Sequence, residues 1–351
     1  HGIIVGKQHS KAAHTVNRLR RGFFAFGEGR MNKGKPQAKR KQTKTEAARE
    51  RTGAQCLVAG LERAGYVADV LGCSLTIADL ELALGRLGDA DRTLRRALDL
   101  ARRQGHDGEV LRGTADMLVA LSRTAWHRDD LTAAAELLRE ADDLGESAGL
   151  PQQPYRWRVA MARLRAAEGD WSAAIELLDD AERVYVGDLS PPVHPVHATR
   201  ARVLAASGDV GGARAWAREH GLGVGDDLTY LREYEHVTLA RVLLAEHRAG
   251  GRQGVLAEVV ALLDRLLEAA QAGGRGCSVI EIEALRALGH HAVGADERAL
   301  DALEHAVDLA EPDGWVRYLL DPDLGDLLEA LARRRPNRGL VARLVQRRAH
   351  G

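Results

Sequence analysis

The stretch that begins at Trp171 reads Trp171-Ser172-Ala173-Ala174-Ile175-Glu176-Leu177-Leu178-Asp179-Asp180-Ala181. In it, Ala174, Leu178 and Ala181 are spaced i, i+4 and i+7, which places them on one face of a helix. The alanines let a partner helix approach closely, and the leucine fills the gap to the next pair of helices. The stretch therefore predicts a helix that packs along a narrow stripe.

The same triplet recurs at intervals of 39 to 46 residues. Most copies follow a turn signal, such as Gly88-Asp89, Asp129-Asp130, Gly169-Asp170 or Gly208-Asp209, and another mostly apolar helical stretch precedes each turn. The repeating unit is therefore helix, tight turn, helix. The other copies are Ala90/Leu94/Ala97, Ala134/Leu138/Ala141, Val259/Leu263/Leu266, Ala299/Leu303/Ala306 and a decayed Ala213/Ala217/His220.

This unit resembles the tetratricopeptide repeat, whose usual period is about 34 residues. A period near forty implies longer helices or longer connections. We expect an all-α fold: a tetratricopeptide-like right-handed superhelix of about six antiparallel helical hairpins. The first helix of each hairpin should line a concave groove, and neighbouring hairpins should bury one another's apolar faces.

The basic residues are distributed unevenly although the formal net charge is zero. All seven lysines lie in the first 44 residues, and residues 1–55 hold 14 Lys and Arg but three acids. We therefore predict three parts: a basic, disordered or non-native segment over 1–55, a repeat domain over 56–335, and an arginine-rich tail over 336–351. The abrupt end of lysine use favours a segment foreign to the fold.

The N-terminal segment has a second interpretation, a basic arm that neutralises nucleic-acid phosphates. Aromatic side chains for base stacking are missing there apart from Phe23, Phe24 and Phe26, so we favour an unrelated tail. A nucleotide site is disfavoured as well. The Gly2 to Gln8 stretch is one residue too short for a P-loop, and Gln8 lacks the hydroxyl that binds magnesium.

The number and spacing of the cysteines, together with the hydropathy of the sequence, indicate where in the cell we expect the protein. Cys56, Cys73 and Cys277 are few, odd in number and far apart, which favours a reducing cytoplasm without a disulfide framework. Neither a signal peptide nor an apolar run of about 18 residues is found in the sequence, so we expect no membrane partner.

Metal and catalytic sites are poorly supported. His194/His197 and His290/His291 are the close histidine pairs, and neither has further Cys or His ligands nearby in the sequence. We interpret the first pair as part of a loop, since prolines surround it. Carboxylates such as Glu136 fall beside arginines on polar helix faces and indicate solvated surfaces.

One candidate binding site recurs with the repeat. A small residue followed by an arginine occurs in four consecutive first helices, at spacings of 40, 39 and 39 residues. We expect the small residue to pack on the partner helix and the arginine to face the groove. Such a ladder would suit a carboxylate, phosphate or acidic peptide, because guanidinium binds oxyanions bidentately. The four arginines are Arg123, Arg163, Arg202 and Arg241.

Two tryptophans, Trp126 and Trp157, lie near this ladder on the same class of helix and could add a stacking surface. The simpler alternative for both is packing between hairpins. The alternative for the arginines is pairing with acids on adjacent helices, or keeping the stack soluble.

Six segments in the right order resemble one known family, the tetratricopeptide region of the large ATP-binding LuxR-family transcriptional regulators, the MalT-like group. The similarity runs from about residue 57 to about residue 335. The segments are Ala64–Cys73, Val110–Met117, Leu150–Leu164, Tyr230–Ala245, Ser278–Ile282 and Ala310–Arg317.

The resemblance implies a sensor between an N-terminal ATPase and a C-terminal helix-turn-helix, and this sequence contains only the middle part. No cofactor is therefore expected in this chain, ATP belonging to the ATPase and DNA to the helix-turn-helix. The family implies binding of a small-molecule inducer or protein partner and control of self-association. It has no catalytic motif in this region, so we do not expect an enzyme. The alternative is a free-standing tetratricopeptide scaffold that binds an acidic peptide or protein.

Overall fold

The structure is a computed structural model that describes residues 56, 58–104, 110–187, 193–250, 254–336 and 338–350. All regular structure within these ranges is helical. The N-terminal segment predicted to be disordered or non-native, residues 1–55, lies outside the described residues.

Residues 58–63 are helical, and fourteen longer helices follow among the described residues. Consecutive helices pack as pairs, α1 with α2, α3 with α4, and so on to α13 with α14. The helices are α1 Val67–Ala83, α2 Leu87–Gln104, α3 Thr114–His127, α4 Leu131–Asp143, α5 Gln153–Ala167, α6 Trp171–Arg183, α7 Val196–Ser207, α8 Val210–Glu219, α9 Glu233–Arg248, α10 Val255–Ala272, α11 Gly276–Ala292, α12 Asp296–Ala310, α13 Gly325–Arg334 and α14 Gly339–His350.

The recurring triplets form the buried stripe of the second helix in each of the first six pairs. Every member of the five intact triplets is at most 2% exposed. In the decayed copy on α8, Ala213 and Ala217 are buried and His220 is partly exposed. The predicted stack of tetratricopeptide-like hairpins is therefore confirmed.

Three of the four predicted turn signals cap a helix. The side chains of Asp130, Asp170 and Asp209 each accept a hydrogen bond from the backbone N–H three residues further on, at the start of α4, α6 and α8. The fourth differs from the prediction. Gly88-Asp89 lies inside the first turn of α2, and the turn before it is made at Gly85, whose φ is 81°.

The forty-residue period arises in two ways. The first, fifth and sixth pairs have long helices of 15 to 18 residues. The fourth pair has short helices of 12 and 10 residues, and long connections flank it. Both expected sources of the extra residues are present.

The first and sixth pairs meet, so the array closes on itself instead of leaving an open groove. Trp315 Nε1 donates to the carbonyl of Gly85 at 2.8 Å, and the N–H of Val316 donates to the carbonyl of His127 at 2.9 Å. The backbones of Gly276 and Leu84 also touch, since a Cβ on Gly276 would lie 2.6 Å from the Leu84 oxygen. Glycine permits this approach because it has no side chain.

The C-terminal segment corrects a second expectation. Residues 336–351 were predicted as a tail, yet Gly339–His350 form α14, which packs on α13. Leu340, Val341 and Leu344 are each 1% exposed, so the packed domain continues past residue 335. The arginines of this segment alternate with apolar residues at helical spacing, as in an amphipathic helix. The basic composition alone did not indicate this helix.

Candidate functional site

The closed array surrounds a central cavity of about 750 Å³. The first helices α1, α3, α5, α7, α9 and α11 all contribute to its wall. The lining combines aromatic rings with charged side chains. Its aromatic residues are Trp126, Tyr155, Trp171, Tyr185, Tyr230, Tyr234 and Tyr318.

One position of the repeat places a charged side chain on this wall in all six first helices. In each case the preceding residue is small or apolar and is at most 2% exposed. The six charged residues lie 39 to 44 positions apart, and all of them line the cavity. We call them the charged ring: Asp79, Arg123, Arg163, Arg202, Arg241 and Glu281.

The four arginines of the predicted ladder are thus neighbours on the cavity wall, and their small partners Ser122, Ala162, Ala201 and Ala240 are buried. Whether these arginines bind a ligand stays a prediction. The ladder was incomplete, however, because acids occupy the same position in the first and sixth pairs.

At the first end of the ring, Arg123 forms an ion pair with Asp79. The Nε of Arg123 is buried and has no hydrogen-bond partner among the described residues. This pair joins α1 to α3 across the cavity wall and neutralises the first ladder arginine.

At the other end, Glu281 accepts from Arg202 at 2.7 Å and from Arg241 at 2.8 Å. Arg241 also pairs with Asp321 at 3.3 Å, and the Arg202 guanidinium lies 3.7 Å from the ring centre of Tyr234. Burial alone would raise the pKa of Glu281, but the two arginines outweigh it and hold that pKa below its ordinary value. Glu281 is therefore ionised and compensates two guanidiniums.

Arg163, in the middle of the ring, differs from its neighbours. Its guanidinium makes no hydrogen bond or ion pair with any residue that the structure describes. Its backbone carbonyl accepts from Trp126 Nε1 at 3.1 Å, which ties α5 to α3. Arg163 is partly exposed and lines the cavity.

His194 lines the same cavity, and its ring packs edge-on against Tyr234 at 4.6 Å. As the sequence predicted, His194 lies in a loop, and its exposed side chain keeps surface toward the cavity. Desolvation by the surrounding wall, followed by the positive charges of Arg163, Arg123 and Arg202, lowers the pKa of His194. Its imidazole is therefore neutral at neutral pH.

The structure places the two predicted tryptophans, Trp126 and Trp157, in different surroundings. Trp126 lines the cavity, and the Arg317 guanidinium lies 5.6 Å from its ring centre. Trp157 lies outside the wall: its Nε1 donates to the Leu138 carbonyl at 2.9 Å, and its ring packs against the core between hairpins. Of the two interpretations of Trp157 offered above, packing between hairpins describes its position.

Several cavity residues were not predicted. Asp79 and Glu281 could have been found by following the forty-residue spacing of the arginines one step further in each direction. Tyr318 and Asp321 carry no such signal, because ring closure brings them to the wall.

Cys277 also belongs to the wall. Burial raises the pKa of the Cys277 thiol to about 12, so it is not a ready nucleophile. The neutral His194 and the ion-paired carboxylates can form hydrogen bonds with a ligand.

A metal site is not evident within the described ranges, where three or more His, Cys, Asp or Glu side chains nowhere converge to hold an ion. None of the helices described is long and apolar enough to cross a membrane.

Comparison with known families agrees with this architecture. A family model described as the MalT-like TPR region matches residues 42–334, which is most of the chain. A comparison with curated proteins found no match.

Proposed function

The chain belongs to the MalT-like tetratricopeptide family, and from that premise we propose that it is the sensor region of a large ATP-binding LuxR-family transcriptional regulator. The central cavity binds a small-molecule inducer. In such regulators the sensor controls ATP-dependent self-association, which lets a helix-turn-helix domain activate transcription. The ATP and DNA sites belong to those other domains, and this region has no catalytic role.

The cavity is the observation that supports this function. Its volume of about 750 Å³ falls within the range of about 300–1,000 Å³ typical of small-molecule sites. Its wall combines aromatic and apolar surface with charged and polar groups that can orient a ligand. Tyr234 and Trp126 contribute flat faces beside charged donors.

The closure of the array separates this proposal from the scaffold alternative. An acidic peptide would lie along an open groove, whereas Trp315 and Gly276 join the last pair of the ring to the first at Gly85. A closed wall favours a compact ligand.

Coding DNA provides one test of the regulator assignment. An upstream reading frame with a P-loop and a downstream helix-turn-helix, both continuous with this chain, are the expected result. Stop codons at both ends would contradict the assignment and favour a free-standing scaffold.

Binding provides a second test. A small molecule that raises the melting temperature of the 351-residue chain should lose that effect in Ala160→Trp, because Ala160 lines the cavity one turn before Arg163. Ala257→Trp is the matched control, since Ala257 is exposed on α10 and lies outside the wall. A ligand that stabilises the parent and both variants equally does not bind in the cavity, and the proposal then fails.

A further inference from the structure

The charged ring is compensated unequally. Asp79 balances Arg123 at one end, and Glu281 balances Arg202 and Arg241 at the other, where Asp321 adds a second carboxylate. The charged-ring position holds an acid only in the first helices of the first and sixth pairs, so the acids lie at the two ends of the ring. Arg163 therefore remains the ring member without an acid partner among the described residues.

An uncompensated guanidinium on a cavity wall is costly unless something hydrogen-bonds to it. Arginine stays charged and presents five N–H donors, and protein surroundings weaken the solvation that bulk water would supply. An anion that enters the cavity meets those donors in a geometry suited to a carboxylate or phosphate. The neighbouring arginines add positive potential even though each is paired with an acid.

The acids that also line the cavity do not substitute for this partner. Asp116 is engaged by Arg156 and by the Leu150 N–H, and Glu233 by Arg275. Glu182 lies in the last turn of α6, three residues before Tyr185, which packs on Tyr155 in the first turn of α5. Tyr155 precedes Arg163 by eight residues, which is about 12 Å of helix.

Groups around Arg163 complete a site for an anion attached to a flat body. His194 is neutral and can donate one N–H, and Trp126, hydrogen-bonded to the Arg163 carbonyl, presents its ring on the same wall. Neither group brings a negative charge that would repel the anion.

We propose that Arg163 anchors an oxyanion, a carboxylate or phosphate group, of the small molecule bound in the cavity. The inference rests on the proposed sensor function and adds the chemical class of the ligand. Arg163 supplies the bidentate contact, His194 a second hydrogen bond, and Trp126 a stacking surface.

Calorimetric titration of the 351-residue chain tests this. The probes are benzoate and phenyl phosphate, with benzamide and benzyl alcohol as neutral counterparts. The parent should bind at least one anion more tightly than its neutral counterpart. Arg163→Gln should weaken that anion about 10- to 100-fold, the effect expected for lost charge-assisted hydrogen bonds, and change the neutral probes less than about twofold.

Arg165→Gln is the matched control, since Arg165 lies two residues further along α5, pairs with Glu168 and stands outside the wall. It should leave all four affinities unchanged. Arg163→Lys, which keeps the charge and loses the planar fork, should fall between parent and Arg163→Gln. Comparing the affinities of benzoate and phenyl phosphate shows whether the site prefers a carboxylate or a phosphate.

The inference is overturned if the anions bind the parent no better than the neutral probes, or if Arg163→Gln leaves the preference intact. Neutral probes that bind the parent and are excluded by Ala160→Trp would preserve the cavity as a sensor site while removing the anion assignment. Anion binding that persists in both Arg163→Gln and Ala160→Trp would place the site elsewhere and contradict both proposals.

Discussion

At the scale of single residues, the closed array decides whether a charged side chain lies beside a partner of opposite charge. Four arginines occupy equivalent positions in sequence, yet three have acid partners and Arg163 has none among the described residues. The repeat predicted that they would share a wall. Pairing with acids was the alternative interpretation, but the sequence could not predict which arginines would be paired, because Arg202 and Glu281 are 79 positions apart.

His127 provides a prediction at this scale. It is 7% exposed, its ring lies 4.4 Å from that of Trp315, and its Nδ1 has no hydrogen-bond partner within the described residues. Burial, followed by the positive charges of Arg123 and Arg163, holds the pKa of His127 well below its ordinary value. The unfolded chain therefore binds a proton below about pH 6.5 that the folded protein does not, and stability falls as the pH drops through that range.

His127→Phe should remove this proton linkage while preserving a ring in the pocket. Between pH 7.5 and pH 5.0 the variant should lose less unfolding free energy than the parent, by up to about 2 kcal/mol. Urea titrations at both pH values measure this, with His291→Gln on the exposed end of α11 as control. An equal loss in parent and His127→Phe would mean that other groups cause the acid sensitivity.

At the scale of elements, the sequence was most informative where a local rule decides the conformation. The triplets became the buried stripes of the second helices, and three Asp residues became N-caps, because both depend on contacts within a few residues. Helix α14 was missed as a packed element. Its docking depends on α13 and on Asp129, to which Arg347 pairs at 2.6 Å across 218 positions of sequence.

The caps provide the second prediction. Asp170→Ala removes the acceptor for the Ala173 N–H at the start of α6 and should lower the free energy of unfolding by about 1 kcal/mol. Asp180→Ala on the same helix breaks only an exposed pair with Arg183 and should change it by less than about 0.5 kcal/mol. Urea unfolding compares the two, and equal effects would show that the cap contributes nothing of its own.

At the scale of the whole molecule, closure changes an array of neighbours into a ring. In an open array each repeat contacts, and therefore stabilises, only the adjacent repeats. Here one buried cluster joins residues of the first three pairs with residues of the sixth and seventh, among them Leu118 and Trp315. A substitution that disturbs α11 should therefore also destabilise α1.

Gly276→Ala tests closure. The new Cβ would lie 2.6 Å from the Leu84 oxygen, so the junction must shift, and the free energy of unfolding should fall by about 2 kcal/mol. Hydrogen exchange should show lost amide protection in α1, with little change in α6. Gly72→Ala on α1 has open space around the added Cβ and should stabilise by about 0.5–1 kcal/mol. Lost protection confined to α11 and its sequence neighbours would contradict a closed ring.

The sequence by itself determined the helical class, the hairpin unit and the six pairs that carry the triplet, because each follows from local periodicity repeated along the chain. The family was identified from six segments that resemble its known members. The sequence also determined that Arg123, Arg163, Arg202 and Arg241 occupy one equivalent position. Only the tertiary structure decided that the sixth pair returns to the first, that Trp157 packs between hairpins, and that acids at both ends of the charged ring leave Arg163 uncompensated. These depend on contacts between residues far apart in sequence, such as Trp315 with Gly85, whose geometry accumulates from small rotations at every hairpin.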